Sequence, residues 1–219
     1  QYSASAIADF FACPYRFYLK TIAGLSEIDV LLRDELQWLD HMNRGTFIHS
    51  IFEGWVTAFL KLEPSAKSWA SFLNKDAPGM LESLLDLAGV EFEAEKKGVP
   101  QIVIDSEVAD IRELALEFIR QEIVEVERSG FYPIHAEEHF KDLIYTWKPA
   151  GSAKEASLTF TGYIDRVDTD GQGTYRVLDY KTGKNHYKGS SPNLFKDSSD
   201  YVHFQHAIYG YWVKSQSEF

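Results

Sequence analysis

Residues Thr161 to Gly183 (TGYIDRVDTDGQGTYRVLDYKTG) constrain this chain more than any other stretch. Two runs rich in Tyr, Val, Ile and Leu flank the turn formers Thr169-Asp170-Gly171-Gln172-Gly173, a pattern that predicts a β-hairpin. Carboxylates fall inside both expected strands, at Asp165 and Asp179, where a half-buried sheet normally carries apolar or uncharged residues. Strand side chains alternate between faces, so Asp179 and Lys181 share one surface while Arg176, Leu178 and Tyr180 point to the other. Antiparallel pairing across the turn brings Asp165 toward Asp179. Two such acids repel each other and raise a pKa unless a cation lies between them. A hard divalent metal meets that demand, and oxygen-rich ligation with room for water and phosphate favours Mg²⁺ or Mn²⁺ over a dedicated zinc site.

At 219 residues and 45% hydrophobic, the chain can bury a full core and is expected to form one domain over residues 1–219, with a helical insertion over roughly 63–130. No apolar run approaches the length of a membrane span. Gln1 opens the chain without an initiator Met and without a basic or apolar leader, so a piece of a longer polypeptide is expected. A single cysteine, Cys13, excludes an internal disulfide and suits a reducing compartment such as the bacterial cytoplasm. The net charge of −11 argues against broad electrostatic attraction to nucleic acid. Lys181, Lys184, His186 and Lys188 cluster after the second strand, and read equally well as a solvated basic loop or as a phosphate-steering group.

Ser3 to Leu19 reads as a capped helix interrupted by Pro14, with Tyr15, Phe17, Tyr18 and Leu19 taken as core. Glu27 to Asp40 reads as a connector or partial helix. Asn43 to Leu62 carries an apolar stripe of Ile48, Phe52, Val56 and Phe59 or Leu60, with His49 and Glu53 one turn apart on a shared face. Further helices are expected over Ala66 to Asn74, Gly79 to Lys97 and Asp105 to Ser129. The charged face of the last, including Glu113, Glu117, Glu122 and Glu125, is expected to be solvated. Ala136 to Trp147 is strand-like, with Glu137 and Glu138 read first as solvated edge residues and second as helpers at a site, and Lys148 to Ala156 reads as a loop. His186 to Asp200 is rich in loop formers, and Tyr201 to Lys214 returns to helix, with Gln205 and Tyr209 four apart on one face.

Four separated motifs then resemble one family, the RecB-like nucleases of the PD-(D/E)XK superfamily, particularly the AddB-type exonuclease domains. Arg44-Gly45-Thr46-Phe47-Ile48-His49 is similar to the family's helix with a metal-binding His, and Gly162-Tyr163-Ile164-Asp165-Arg166-Val167-Asp168 to its GxIDRxD strand. Asp179-Tyr180-Lys181-Thr182-Gly183 resembles its DYKTG strand, and Gln205 to Tyr209 its QxxxY helix. Any one match is weak, whereas all four in family order carry weight. The resemblance implies an α+β fold tending to α/β: a restriction-endonuclease-like core with a central mixed sheet of about three or four strands, flanked by helices.

The same resemblance implies a metal site of His49, Asp165, Asp179 and the Tyr180 carbonyl holding Mg²⁺ or Mn²⁺. Asp165, Asp179 and Lys181 are its implied catalytic groups, and Gln205, Tyr209 and Lys184 its implied substrate contacts. DNA, single- or double-stranded, and a helicase domain or subunit are the implied partners, with repair or recombination as the setting and no membrane. The opening Cys13-Pro14-Tyr15-Arg16-Phe17-Tyr18 resembles the CPxxFY start of iron–sulfur members. With no second cysteine a four-thiolate cluster cannot be completed within the chain, and Cys13 is expected to be a small buried residue. Two other classes stay open: a nuclease-like module that binds DNA or docks a subunit without cutting, and a hydrolase such as a glycosidase using the acids as general acid and base.

Overall fold

The computed structural model describes residues 1–26, 36–63, 68–181 and 204–216. Lys184, His186, Lys188, the His186 to Asp200 loop, Tyr201 and most of the Glu27 to Asp40 connector lie outside them. The elements in order are α1 (Ala4–Ala12), α2 (Pro14–Phe17), a π turn (Tyr18–Ile22), α3 (His41–Leu60), α4 (Trp69–Lys75), α5 (Ala77–Glu91), a short 3-10 turn (Ala94–Lys96), α6 (Gln101–Ser129), β1 (Tyr132–Trp147), β2 (Ala156–Thr169), β3 (Tyr175–Leu178) and α7 (Phe204–Ser215). The strands form a sheet in the order β1-β2-β3, with β2 and β3 antiparallel, and Tyr2 makes a parallel bridge to Phe160. A helix-flanked sheet with the helical insertion α4 to α6 is the mixed architecture expected. Among the described residues no helix is long and apolar enough to cross a membrane.

The chain divides into two compact units, one from Gln1–Val30, Glu138–Ile164 and Tyr187–Phe219, the other from Leu31–Glu137 and Asp165–His186. In the first, Ser3 caps α1 by accepting the Ala6 N–H at 3.1 Å, and Pro14 starts α2 at a position that needs no N–H. The Cys13 sulfur accepts the Arg16 N–H at 3.5 Å, so Cys13 is a half-buried cap and not the buried filler expected. Tyr15 and Tyr18 are exposed, contrary to expectation. The one-turn helix and the π turn after it carry Phe17 inward instead, between Phe10 and Tyr2. On α7, Tyr209 and Trp212 are buried and pack on Phe140 of β1. Gly162 permits this approach, since a Cβ there would lie 2.8 Å from the Phe140 ring.

The second unit is built on α3. Asp40 caps it by accepting the Asn43 N–H at 2.7 Å, and Phe47, Ile48, Ile51, Phe52, Trp55, Val56 and Phe59 are buried along it. That spacing gives a stripe wide enough to meet several helices at once. Leu81, Leu85 and Ala88 of α5 and Ile111, Ala115 and Ile119 of α6 complete the core. Each such large side chain contributes roughly 1.5–3 kcal/mol on burial. The one polar atom of Trp55 is satisfied, its indole N–H donating to the Ala77 carbonyl at 2.9 Å. Helix α6 ends at Gly130 in the left-handed conformation (φ +72°), the usual helix-stopping geometry.

The hairpin turns through Asp170, whose carboxylate accepts the N–H groups of Gln172 (2.8 Å) and Thr174 (3.0 Å), with Gly171 and Gly173 at positive φ. Its register pairs Arg166 with Leu178 and Asp168 with Arg176. Strand β3 stops at Leu178, short of the expected Asp179-Tyr180-Lys181 extension. The cause is local: the Tyr180 N–H donates to the Asp165 carboxylate at 2.6 Å, so a side chain replaces the next rung of the ladder. Glu122 of α6, expected in solvent, is buried, because the guanidinium of Arg166 lies against it.

Candidate metal centre

Helix α3 places His49 at the margin of its apolar stripe, beside buried Ile48, so that one edge of the ring meets protein and the other an open cleft. The cleft has a volume of about 430 Å³, with Gly45, Thr46, His49, Ser50, Glu53 and Glu137 among its walls. His49 Nε2 lies 2.9 Å from the Tyr180 carbonyl oxygen. A carbonyl only accepts, so Nε2 carries the hydrogen and donates. Nδ1, 3.6 Å from an Asp165 carboxylate oxygen, is then the nitrogen with a lone pair in the neutral ring.

Asp165 enters from β2 at the margin of the hairpin. Burial pushes its carboxyl above the usual range, opposed by the Tyr180 N–H and by His49, and the charge of Asp179 adds to the rise. Glu137 arrives from β1 through a left-handed kink (φ +47°), a conformation that costs a non-glycine residue about 1–3 kcal/mol. Its carboxyl is pushed up to about 7, chiefly by burial and then by the charges of Asp165 and Glu53. Ligand atoms of His49, Glu137 and Asp165 all lie within 4.8 Å of one another. One imidazole, carboxylates that resist ionising together and a backbone carbonyl with a second lone pair make a donor set that fits a hard divalent cation such as Mg²⁺ or Mn²⁺.

Asp179 and Lys181 stand just past the end of β3 and form an ion pair with each other. Lys181 is more than half exposed, whereas Asp179 is mostly covered. Gln205 and Tyr209 meet each other within the first unit, the Gln205 amide donating to the Tyr209 hydroxyl at 2.8 Å. Lys184 lies outside the described residues. Glu137, for which the sequence favours an edge position over a place at the site, joins the cluster. Its kink falls on a glutamate where glycine would have announced it, and only the pair Glu137-Glu138 in a strand-like run hinted at a constrained acid.

Behind the cluster, on the opposite face of β2, Arg166 is fully buried and forks onto Asp168 through Nε (2.6 Å) and Nη2 (2.8 Å). Nη2 also reaches Glu122, and Nη1 donates to the Tyr180 hydroxyl at 3.2 Å. Burial works against the charged guanidinium, but Asp168 and Glu122 outweigh it and hold Arg166 firmly protonated. The same burial pushes the Tyr180 phenol up to about 12, so the hydroxyl stays neutral.

A family model described as the PD-(D/E)XK nuclease superfamily matches residues 1–219. The chain is also 24% identical over 201 residues to an ATP-dependent helicase/deoxyribonuclease subunit of Streptococcus mutans serotype c (strain ATCC 700610 / UA159), covering 88% of this chain and 15% of that protein. It thus spans about 15% of the length of that relative.

Proposed function

The chain belongs to the PD-(D/E)XK nuclease superfamily, as a RecB/AddB-like domain, and from that premise we propose that it is a Mg²⁺- or Mn²⁺-dependent deoxyribonuclease that degrades DNA from its ends. Family and relative both support a nuclease function. The observation that carries the rest is the convergence of His49, Glu137 and Asp165 within 4.8 Å, with His49 on the Tyr180 carbonyl and Asp165 on its N–H.

His49, Asp165, Asp179 and the Tyr180 carbonyl would hold the cation, with Glu137 added to the expected set. The bound ion would neutralise a scissile phosphodiester and lower the pKa of an attacking water. Asp165 and His49 are pre-aimed by their bonds to Tyr180, so little reorganisation is needed as a phosphate arrives. Lys181 bears a compact charge on a flexible stem; turning from Asp179, it orients the water and offsets charge growing on the phosphorus oxygens. A water O–P bond forms as the P–O3′ bond breaks, leaving a 5′-phosphate and a 3′-hydroxyl. Gln205, Tyr209 and Lys184 would contact the strand being cut. A helicase partner and a role in repair or recombination, in the bacterial cytoplasm, extend the proposal, prompted by the motif resemblance and the relative's name.

The test is degradation of linear DNA with Mg²⁺, with and without EDTA, by wild type, Asp179→Ala and Lys181→Ala. Each variant should lose about 10²-fold or more, and EDTA should stop the reaction. Cleavage in EDTA, or full activity in either variant, overturns the metal mechanism. Covalently closed circles should survive; their loss would replace end-directed action with internal cutting. Binding without cutting by wild type would leave an inactive docking module, and activity confined to oligosaccharides a glycosidase.

A further inference from the structure

The metal reading above makes no use of Arg166, Asp168 or the Tyr180 side chain, although all three belong to the motifs that carry the family resemblance. We propose that Arg166 is a positioning residue for the metal centre, acting through Tyr180: by holding the phenol from behind, it fixes the backbone that aims His49 and Asp165 into the site. The inference rests on the metal-site reading and extends it to the opposite face of β2.

Tyr180 is gripped at two points. Its ring lies edge-on to Phe52, Phe118 and His49, with centroids 5.0, 5.8 and 5.6 Å away, and its hydroxyl accepts from Arg166 Nη1. Its backbone faces the site, the N–H donating to Asp165 and the carbonyl accepting from His49. Once the ring is pinned, rotation about the backbone on either side of its Cα is restricted, and both site contacts inherit that restriction. A tyrosine just past the end of β3 needs such a hold, because the ladder no longer fixes its peptide groups.

Arg166 is itself immobilised. Residues two apart on a strand share a face, so Asp168 lies under the guanidinium as a bidentate partner. Asp168 is also the cross-strand partner of Arg176, whose Nη2 donates to it at 2.7 Å, and Arg176 reaches Glu125 at 2.8 Å. Glu122 closes the set, accepting from Arg166 and, at 3.1 Å, from the Trp69 indole. Helix α6 and strand β3 thereby fix a charge that fixes the tyrosine. Buried ion pairs often return no more stability than apolar packing would, so a cluster this elaborate is better explained by the geometry it imposes.

The experiment measures Mn²⁺ affinity by titration calorimetry and thermal stability on the full chain, for wild type, Tyr180→Phe, Trp69→Phe and Asp165→Asn. Tyr180→Phe removes only the hydroxyl that Arg166 holds, and should bind Mn²⁺ about 10-fold more weakly, the scale seen when an outer-shell partner of a metal ligand is lost. Trp69→Phe removes the hydrogen bond at the far end of the network, and should lower the melting temperature while leaving Mn²⁺ affinity at the wild-type value. Wild-type affinity in Tyr180→Phe, or an equal loss in Trp69→Phe, overturns the positioning role while the metal site stands. Absence of Mn²⁺ binding in wild type, or undiminished binding in Asp165→Asn, removes the metal site and this inference together.

Discussion

Asp165 and Asp168 lie three residues apart on β2, one on each face, and the difference in their surroundings that matters most is charge. Asp168 is fully buried between two guanidinium groups, with Arg166 at 2.6 and 2.8 Å and Arg176 at 2.7 Å. Asp165 is also largely covered, yet among the described residues its ion pair is with His49 at 3.6 Å, an imidazole that is charged only if protonated, whereas a guanidinium is always charged. Burial alone therefore does not make an acid available for chemistry. What matters is whether a permanent cation already pairs with it, and the strand sends the acid held by arginine to the structural face and the other toward His49 and Glu137.

The comparison can be broken by neutralising each acid in turn. Asp168→Asn leaves Arg166 and Arg176 facing an amide, and should destabilise the protein by about 3–5 kcal/mol in urea unfolding, as removal of one partner from a buried pair does. Asp165→Asn keeps an oxygen to accept the Tyr180 N–H, so the fold should hold. DNA degradation should nonetheless fall about 10²- to 10³-fold, on the scale of losing one preorganised electrostatic contact. Similar unfolding and activity profiles for the two variants would dissolve the distinction between the faces. A smaller effect sharpens it: Mg²⁺ at about 100 times its Kd should stabilise wild type by about 2.7 kcal/mol and Asp165→Asn by far less. Equal stabilisation of both would place the cation elsewhere.

The same two acids show what a sequence can announce. A carboxylate within a strand, at Asp165, was legible because alternation and the turn formers fix both the hairpin and the face. His49 was legible through its place on a strongly periodic helix together with the preceding Arg44-Gly45-Thr46. Glu122 was not, because its partner Arg166 lies 44 residues away and nothing local to α6 marks a charge that will be buried. Alternation put Arg176 and Tyr180 on one face, but could not say that arginine, acid and phenol would meet there as one network. Glu137 ranks as an edge residue first and a site helper second for a different reason. Strand alternation assumes a regular backbone, and a positive φ at a non-glycine residue is set by the surroundings that overrule its local preference.

Glu137 supplies the finest test, because it is a third acid with neither an arginine partner among the described residues nor a place in the expected ligand set. Its carboxyl titrates at about 7 in the fold against an ordinary value of 4.5, raised first by burial and then by Asp165 and Glu53. Between those two values the unfolded chain has released the proton while the folded protein keeps it. Unfolding therefore releases a proton, and stability falls as pH rises through this window, levelling off above it. The group remains half in water, so the total decline should be discounted to roughly 1–2 kcal/mol. Metal-free Glu137→Gln should lack this component of the decline, and at about pH 8 should be at least as stable as wild type. Adding Mg²⁺ should restore wild type at that pH and benefit Glu137→Gln less, since an ionised carboxylate is what a cation rewards. Urea unfolding across the window, in EDTA and then in Mg²⁺, decides the matter. Parallel stability profiles for the two proteins in both conditions would show that Glu137 is a solvated edge residue after all, leaving His49 and Asp165 to hold the ion with Asp179 and the carbonyl.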